Sequence, residues 1–317
     1  MKRVHSQGDI YLQRDASLPY IRLAIKYLLL SLIFETIVPF LKGGLELSAT
    51  KPLSLLDRYG LKEKPFSVSP DPRFLYQTPQ HKRALAQVRF TVQDRQGLAV
   101  MYGDVGTGKS TLVRLLYDLY RDDESYRVIL LTNPDPTSAL QLLKRITDAC
   151  ELDRKRSRLD QMQEFEGFLV EQYREGRNTV LLIDEAQLLQ GPQFELIRQL
   201  TNFESATAKL IQIVLAGQNN LRAKLRLKKA LLSRAVSTTT LDPLTMEETE
   251  AMLAYRLRIA GRSEALFEPD AIQAVHKLSK GVPREIIKLC RAALTTAAIN
   301  DLDTIPADVV AYDGDES

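Results

Sequence analysis

Two cysteines in 317 residues, Cys150 and Cys290, match no disulfide framework and no metal-ligand spacing, and they read as reduced packing residues of a cytoplasmic chain. An excess of one charge sign is also missing. Lys and Arg number 43 against 40 Asp and Glu, and a surplus of +3 is too small to announce a polyanionic partner by bulk attraction. Any basic surface must come from local clustering. Long apolar runs are lacking too: residues 21–41, IRLAIKYLLLSLIFETIVPFL, form the most apolar stretch, but Lys26, Glu35 and Pro39 interrupt it. Its clean part, 27–34, has eight residues where a membrane span needs about 20. Each charge near mid-bilayer would add roughly 2.5–3.5 kcal/mol, and no small-residue cleavage site follows. The stretch reads as a soluble apolar helix that packs on a partner or is poorly ordered, with membrane association and an extension ahead of the true start as alternatives. No internal repeat or low-complexity tract is present.

What remains is enough for a real core: 44% of residues are hydrophobic and 26% charged, as in an ordinary soluble protein, and the length suits one large domain or two modest ones. The stretch with the most chemical content is GDVGTGKST, residues 103–111. It fits G-x-x-x-x-G-K-[ST], a loop whose glycines let backbone N–H groups close on phosphate oxygens. Gly103, Asp104, Val105, Gly106, Thr107, Gly108, Lys109, Ser110 and Thr111 are therefore the expected phosphate-binding set. Lys109 supplies a full positive charge, and the Ser110 hydroxyl completes a magnesium shell. The implied ligands are ATP and Mg2+. LAVMYG before the loop reads as a buried strand, and TLVRLLYDLY after it as an amphipathic helix.

From residue 98 onward strand and helix patterns alternate, which predicts a parallel sheet with crossover helices. Strands are expected at 98–104, 126–133, 178–189 and 209–218, with a short fifth in VSTTTLDPL; after Pro243 the period is helical throughout. The fold class predicted is α/β, a P-loop parallel sheet sandwiched by helices and followed by a small all-α lid. The expected layout is an apolar extension over 1–45, a nucleotide-binding domain over 46–243, a helical lid over 244–305 and an acidic tail over 306–317.

VLLIDE, residues 180–185, is an apolar run ending in two carboxylates. Ligands of such sheets sit at the carboxyl ends of strands, which puts Asp184 beside the phosphates as a magnesium-ordering group and makes Glu185 the candidate base for attacking water. AGQNN ends the fourth strand; Gln218 is the expected sensor of the γ-phosphate, with Asn219 the near alternative. Arg234, just before the fifth strand, is placed to reach a neighbouring subunit's γ-phosphate. In GVPREI, Arg284 opens a lid helix and is expected to close on the γ-phosphate.

These elements, in this order, resemble the AAA+ ATPases over residues 55–300. With YGLKEKPFSVSPDPRFLYQTPQHKRAL at 59–85, they resemble the ExeA/GspA-type ATPases and the transposon helper ATPases of the MuB, TniB and TnsC group. In AAA+ proteins the segment before the first strand lies over the adenine. The resemblance therefore makes Phe66, Tyr76 and His81 candidates for the base end, although His81 reads on its own as a hydrogen-bonded structural residue. It also implies a homo-oligomer, a ring or a filament.

The secretion ATPases of this kind carry a membrane helix and a periplasmic domain after the AAA+ part, whereas this sequence stops after the lid. The expectation is accordingly a transposition regulator that assembles on double-stranded DNA and acts with a transposase and a target-selection protein, with a secretion or membrane-assembly ATPase as the alternative. Membrane attachment is not expected. Lys144, Arg145, Arg154, Lys155, Arg156 and Arg158 are the expected DNA contacts; a second basic run, Arg222 to Arg234, is assigned to DNA or to a subunit boundary.

Overall fold

The computed structural model describes residues 54–67, 71–134 and 138–312. The apolar run at 21–41 and the acidic residues 313–317 lie outside them. Five parallel strands, β1 (Leu98–Gly103), β2 (Tyr126–Leu131), β3 (Asn178–Ile183), β4 (Ile211–Gly217) and β5 (Ala235–Leu241), form one sheet in the order β2-β3-β4-β1-β5. The register pairs Ile183 with Leu215 and Tyr102 with Gly217, so the carboxyl ends of β3, β4 and β1 finish level.

Alternation along the strands separates two apolar layers, because successive side chains point to opposite faces. Leu98, Val100, Tyr102, Leu181, Ile183, Ile213 and Leu215 face one core. Its helices are α4 (Ala139–Asp148), α5 (Arg158–Arg174), α6 (Gly191–Leu200) and α7 (Asn219–Arg226), as Leu142, Phe165, Ile197 and Leu221 show. Ala99, Met101, Val180, Leu182, Val214 and Ala216 face the other core, under α2 (Pro79–Gln93) and α3 (Lys109–Arg121). Strands covered on both faces read as continuous apolar runs, which is why VLLI was legible as buried.

Caps set the helix starts. The Thr78 hydroxyl accepts from the backbone N–H of His81 with Pro79 at the first turn, and Ser157 accepts from Asp160, so α5 begins at Arg158, the last residue of the basic cluster 154–158. The basic segment after β4 is two helices, α7 and the short α8 (Lys229–Leu232), with Leu227 and Lys228 between them.

The third core belongs to the lid: α9 (Met246–Ile259), α10 (Pro269–Ser279) and α11 (Pro283–Ile299). A capping box of Thr245 and Glu248 starts α9. Two parts of the sequence join this core against expectation. Tyr59, Leu61, Phe66 and Phe74 pack into it together with Leu253, Phe267 and Ile286, so the segment that precedes the sheet domain in sequence is built into the lid. It begins with a single turn, α1 (Leu55–Arg58). At the other end, residues expected to form an acidic tail make α12 (Ala307–Tyr312). Its Val309 and Val310 are buried, and Ile305 pairs with Phe267. The apolar pair, not the acids, decides that segment. Among the described residues no helix is long and apolar enough to cross a membrane.

Candidate active site

The level ends of β1, β3 and β4 open onto a cavity of about 410 Å³. Val105, Gly106, Thr107, Gly108, Lys109, Ser110 and Thr111 line one side, with Asp184, Glu185 and Gln218 beside them and Arg284 entering from the lid. Gly103, which is buried, and Asp104, which is exposed, do not line the cavity. A Cβ at Gly103 would meet the Leu241 carbonyl at 2.6 Å, so only glycine lets the strand turn there.

Lys109 is nearly buried, and its ammonium donates to the carbonyls of Gly103 and Asp104 at 2.8 and 2.7 Å. Burial pulls its pKa below the ordinary value, against the opposing pull of Glu185, Asp184 and Asp104. A phosphate oxygen would give this desolvated cation a full charge where it now has dipoles. The loop is braced from behind by His81. Its Nε2 lies 3.0 Å from the Thr107 carbonyl and its Nδ1 lies 2.7 Å from the Thr78 hydroxyl. A carbonyl has no proton to give, so Nε2 carries the hydrogen and the threonine donates to Nδ1. Burial lowers the His81 pKa, which suits this neutral tautomer. His81 thus hydrogen-bonds the loop and also lines the cavity.

Asp184 is buried and accepts from Ser110 and from the Glu185 N–H, the latter at 2.9 Å. Burial raises its pKa first of all. A carboxylate and a hydroxyl converging here are hard oxygen donors of the type that suits Mg2+. Glu185 adopts φ 54°, a left-handed conformation rare for a residue with a side chain, at the start of a 3-10 turn over Ala186–Leu188. Two amides steady its carboxylate: Gln187 Nε2 donates to it, and Gln218 Nε2 lies 3.4 Å away. Gln187 Oε1 in turn accepts the Gln218 N–H at 3.0 Å. Gln218 therefore touches the Glu185 carboxylate, whereas Asn219 donates to Asp104 at 2.6 Å and belongs to the loop's support.

The lid closes directly on the loop. The N–H of Arg284 donates to the Gly106 carbonyl at 3.3 Å, and a Cβ at Gly106 would lie 2.8 Å from that of Arg284. Tyr76 lines the cavity and packs tilted against Tyr255. Phe66 falls elsewhere: it is buried in the lid core, edge-on to Phe267 at 5.6 Å, and the aromatic that reaches the cavity from this segment is Phe74.

Arg234 does not line the cavity. It donates to the Arg198 carbonyl and the Thr201 hydroxyl at 2.6 and 2.9 Å, capping the end of α6. Lys224, read as one of a basic run, donates instead to the carbonyls of Gln187 and Leu189 and so pins the turn that carries Glu185. The 154–158 cluster is partly neutralised. Arg154 pairs with Asp148 at 2.7 Å, Lys155 with Glu164 at 3.3 Å, and Arg158 donates to Gln199; Arg156 is exposed. Arg145 donates to the Asn133 carbonyl, and Lys144 is half-buried on the same helix.

Sequence reasoning missed Arg256. It carried one signal: it stands in register with Thr249, Met252, Leu253 and Leu257 on the buried stripe of α9, where an arginine is out of place.

A phosphate loop, a strand-end carboxylate pair and a helical lid docked on the loop define a P-loop ATPase of the AAA+ type. Residues 92–225 match the family model of the AAA domain. Over 243 residues the chain is 37% identical to general secretion pathway protein A of Aeromonas hydrophila, covering 75% of this chain and 44% of that protein. Among solved structures it is similar to Cdc6p from Pyrobaculum aerophilum, with TM-score 0.59, 18% identity, and 76% of this chain and 67% of that one covered. It is also similar to the Aeropyrum pernix ORC2 protein, with TM-score 0.58, 17% identity, and 80% and 72% covered. At these identities the likeness is one of fold. The chain is an AAA+ ATPase of the ExeA/GspA-like group. It spans less than half the length of the secretion-pathway relative.

Proposed function

We propose that this chain is the nucleotide-driven part of a secretion or membrane-assembly system, rather than the transposition regulator its sequence first suggested. The observation that carries this reading is the similarity to a general secretion pathway protein. It runs over 243 residues, well beyond the 92–225 matched by the AAA domain, so it is not confined to the motifs every such ATPase shares. The transposition reading has less beneath it. Four of its six DNA-contact residues, Arg145, Arg154, Lys155 and Arg158, are engaged by carbonyl, carboxylate or amide groups of the chain itself.

In the chemistry proposed, Lys109 and the loop N–H groups hold the β- and γ-phosphates, and Ser110 and Asp184 hold the metal. Mg2+ supplies charge neutralisation on the phosphate oxygens. Glu185 takes a proton from water, Gln218 keeps that carboxylate and the γ-phosphate in register, and Arg284 transmits the state of the phosphate to the lid. Subunits assemble so that Arg234 serves a neighbour's site. Because its guanidinium now caps α6, assembly on this reading includes its release from Arg198 and Thr201.

The test replaces the cellular gene with its Lys109→Ala form. The expected result is retention of normally exported proteins or failure of their envelope assembly. Normal export, together with an ATP-dependent shift of duplex DNA by the purified protein, would overturn the secretion reading in favour of transposition.

A further inference from the structure

Arg256 takes part in none of the steps above, yet it borders the same cavity. Its guanidinium is buried and held by backbone carbonyls: Nε donates to Pro65 at 2.8 Å, Nη1 to Phe74 at 2.9 Å and Nη2 to Ser67 at 3.4 Å. It also sits 5.2 Å from the centre of the Phe74 ring. Burial lowers its pKa to about 10, so it stays charged at neutral pH. A cation desolvated against dipoles is an inefficient way to fill a helix stripe, since an apolar side chain would pack there without the penalty. Its use must lie in what it holds.

What it holds is the cavity's apolar side. Ser67 lines the cavity, as do the consecutive Phe74, Leu75 and Tyr76, together with Met252 of α9 and Ile287 of α11. The lining thus differs along its length: it is cationic and N–H-rich at the phosphate loop, where Arg284 also enters, and it is mainly apolar and aromatic, with Asp71 the one carboxylate, where Phe74, Leu75, Tyr76, Met252 and Ile287 contribute. A nucleotide has the same division between triphosphate and base. One planar fork grips three carbonyls drawn from two turns of a single chain segment, which lysine cannot reproduce.

We propose that Arg256 is a positioning residue for the nucleobase: it fixes the backbone at Pro65, Ser67 and Phe74 as the wall on which the base packs. It therefore sets nucleotide affinity through the base and leaves the phosphate contacts alone. This needs only the ATPase class and is independent of the cellular role.

The experiment compares calorimetric affinities for ADP and for inorganic pyrophosphate in the full chain and in Arg256→Met, Arg256→Lys and Phe74→Leu, with melting followed alongside. Arg256→Met is expected to bind ADP about tenfold more weakly while pyrophosphate stays within about twofold, and Arg256→Lys to fall between it and the parent. If Arg256→Met fails to fold, Arg256→Lys and Phe74→Leu carry the same expected pattern. Equal weakening of both ligands, or ADP binding at the parental level in folded variants, would overturn the proposal.

Discussion

The two ends of the nucleotide cavity are built in opposite ways. The phosphate end comes mainly from one unbroken stretch, 105–111, plus the residues just after two neighbouring strands, with Arg284 added from the lid. The base end is gathered from Ser67, Asp71 and Phe74 to Tyr76, and from α9 and α11, parts of the chain more than 150 residues apart held together by the lid core. The difference teaches where each kind of information lies. Holding phosphate is local backbone geometry, so a short motif can encode it. Shaping an apolar wall is tertiary packing, and no motif announces it.

Lys109→Ala breaks the phosphate end most directly. Loss of this preorganised donor should lower kcat/KM for ATP by about 10²–10³-fold, measured by steady-state phosphate release; a change under tenfold would contradict the loop's assignment. Asp184→Asn should abolish most hydrolysis yet raise the melting temperature of the nucleotide-free protein. Burial makes the ionised carboxylate unfavourable, and the amide removes that cost. A lower melting point would mean that Asp184 serves the fold rather than the metal.

The support behind the loop is sharpened by pH. His81 has a pKa lowered from 6.5 by burial. The unfolded chain therefore binds the proton more readily. Stability is undiminished above the unfolded value, falls as the pH drops below it, and levels off only beneath the lowered folded value. Urea midpoints at about pH 8 and about pH 5.5 should show a larger acid loss in the parent than in His81→Gln, which does not titrate. Equal losses would contradict the neutral assignment. The smallest effect is expected away from the cavity. Arg154→Ala breaks an exposed pair with Asp148 that solvent screens, so its melting point and ATPase rate should stay near the parental values.

Legibility in the sequence follows the same division. Strands β1, β3 and β4 were readable because double burial leaves continuous apolar runs, and Asp184 and Glu185 because they end one of them. The lid helices were readable by period. The packing of Tyr59, Leu61, Phe66 and Phe74 into the lid was not, since a Pro-rich segment gives no period to follow. Nor were the pairing of Arg154 with Asp148 and the capping of α6 by Arg234, because a charge run shows its members and not their partners.

The most direct test of the account is Glu185→Gln, followed by single-turnover hydrolysis and nucleotide content. If Glu185 activates water in a site that otherwise holds ATP unaided, hydrolysis falls by about 10²–10⁴-fold and the purified protein keeps ATP rather than ADP. Hydrolysis at the parental rate would contradict it.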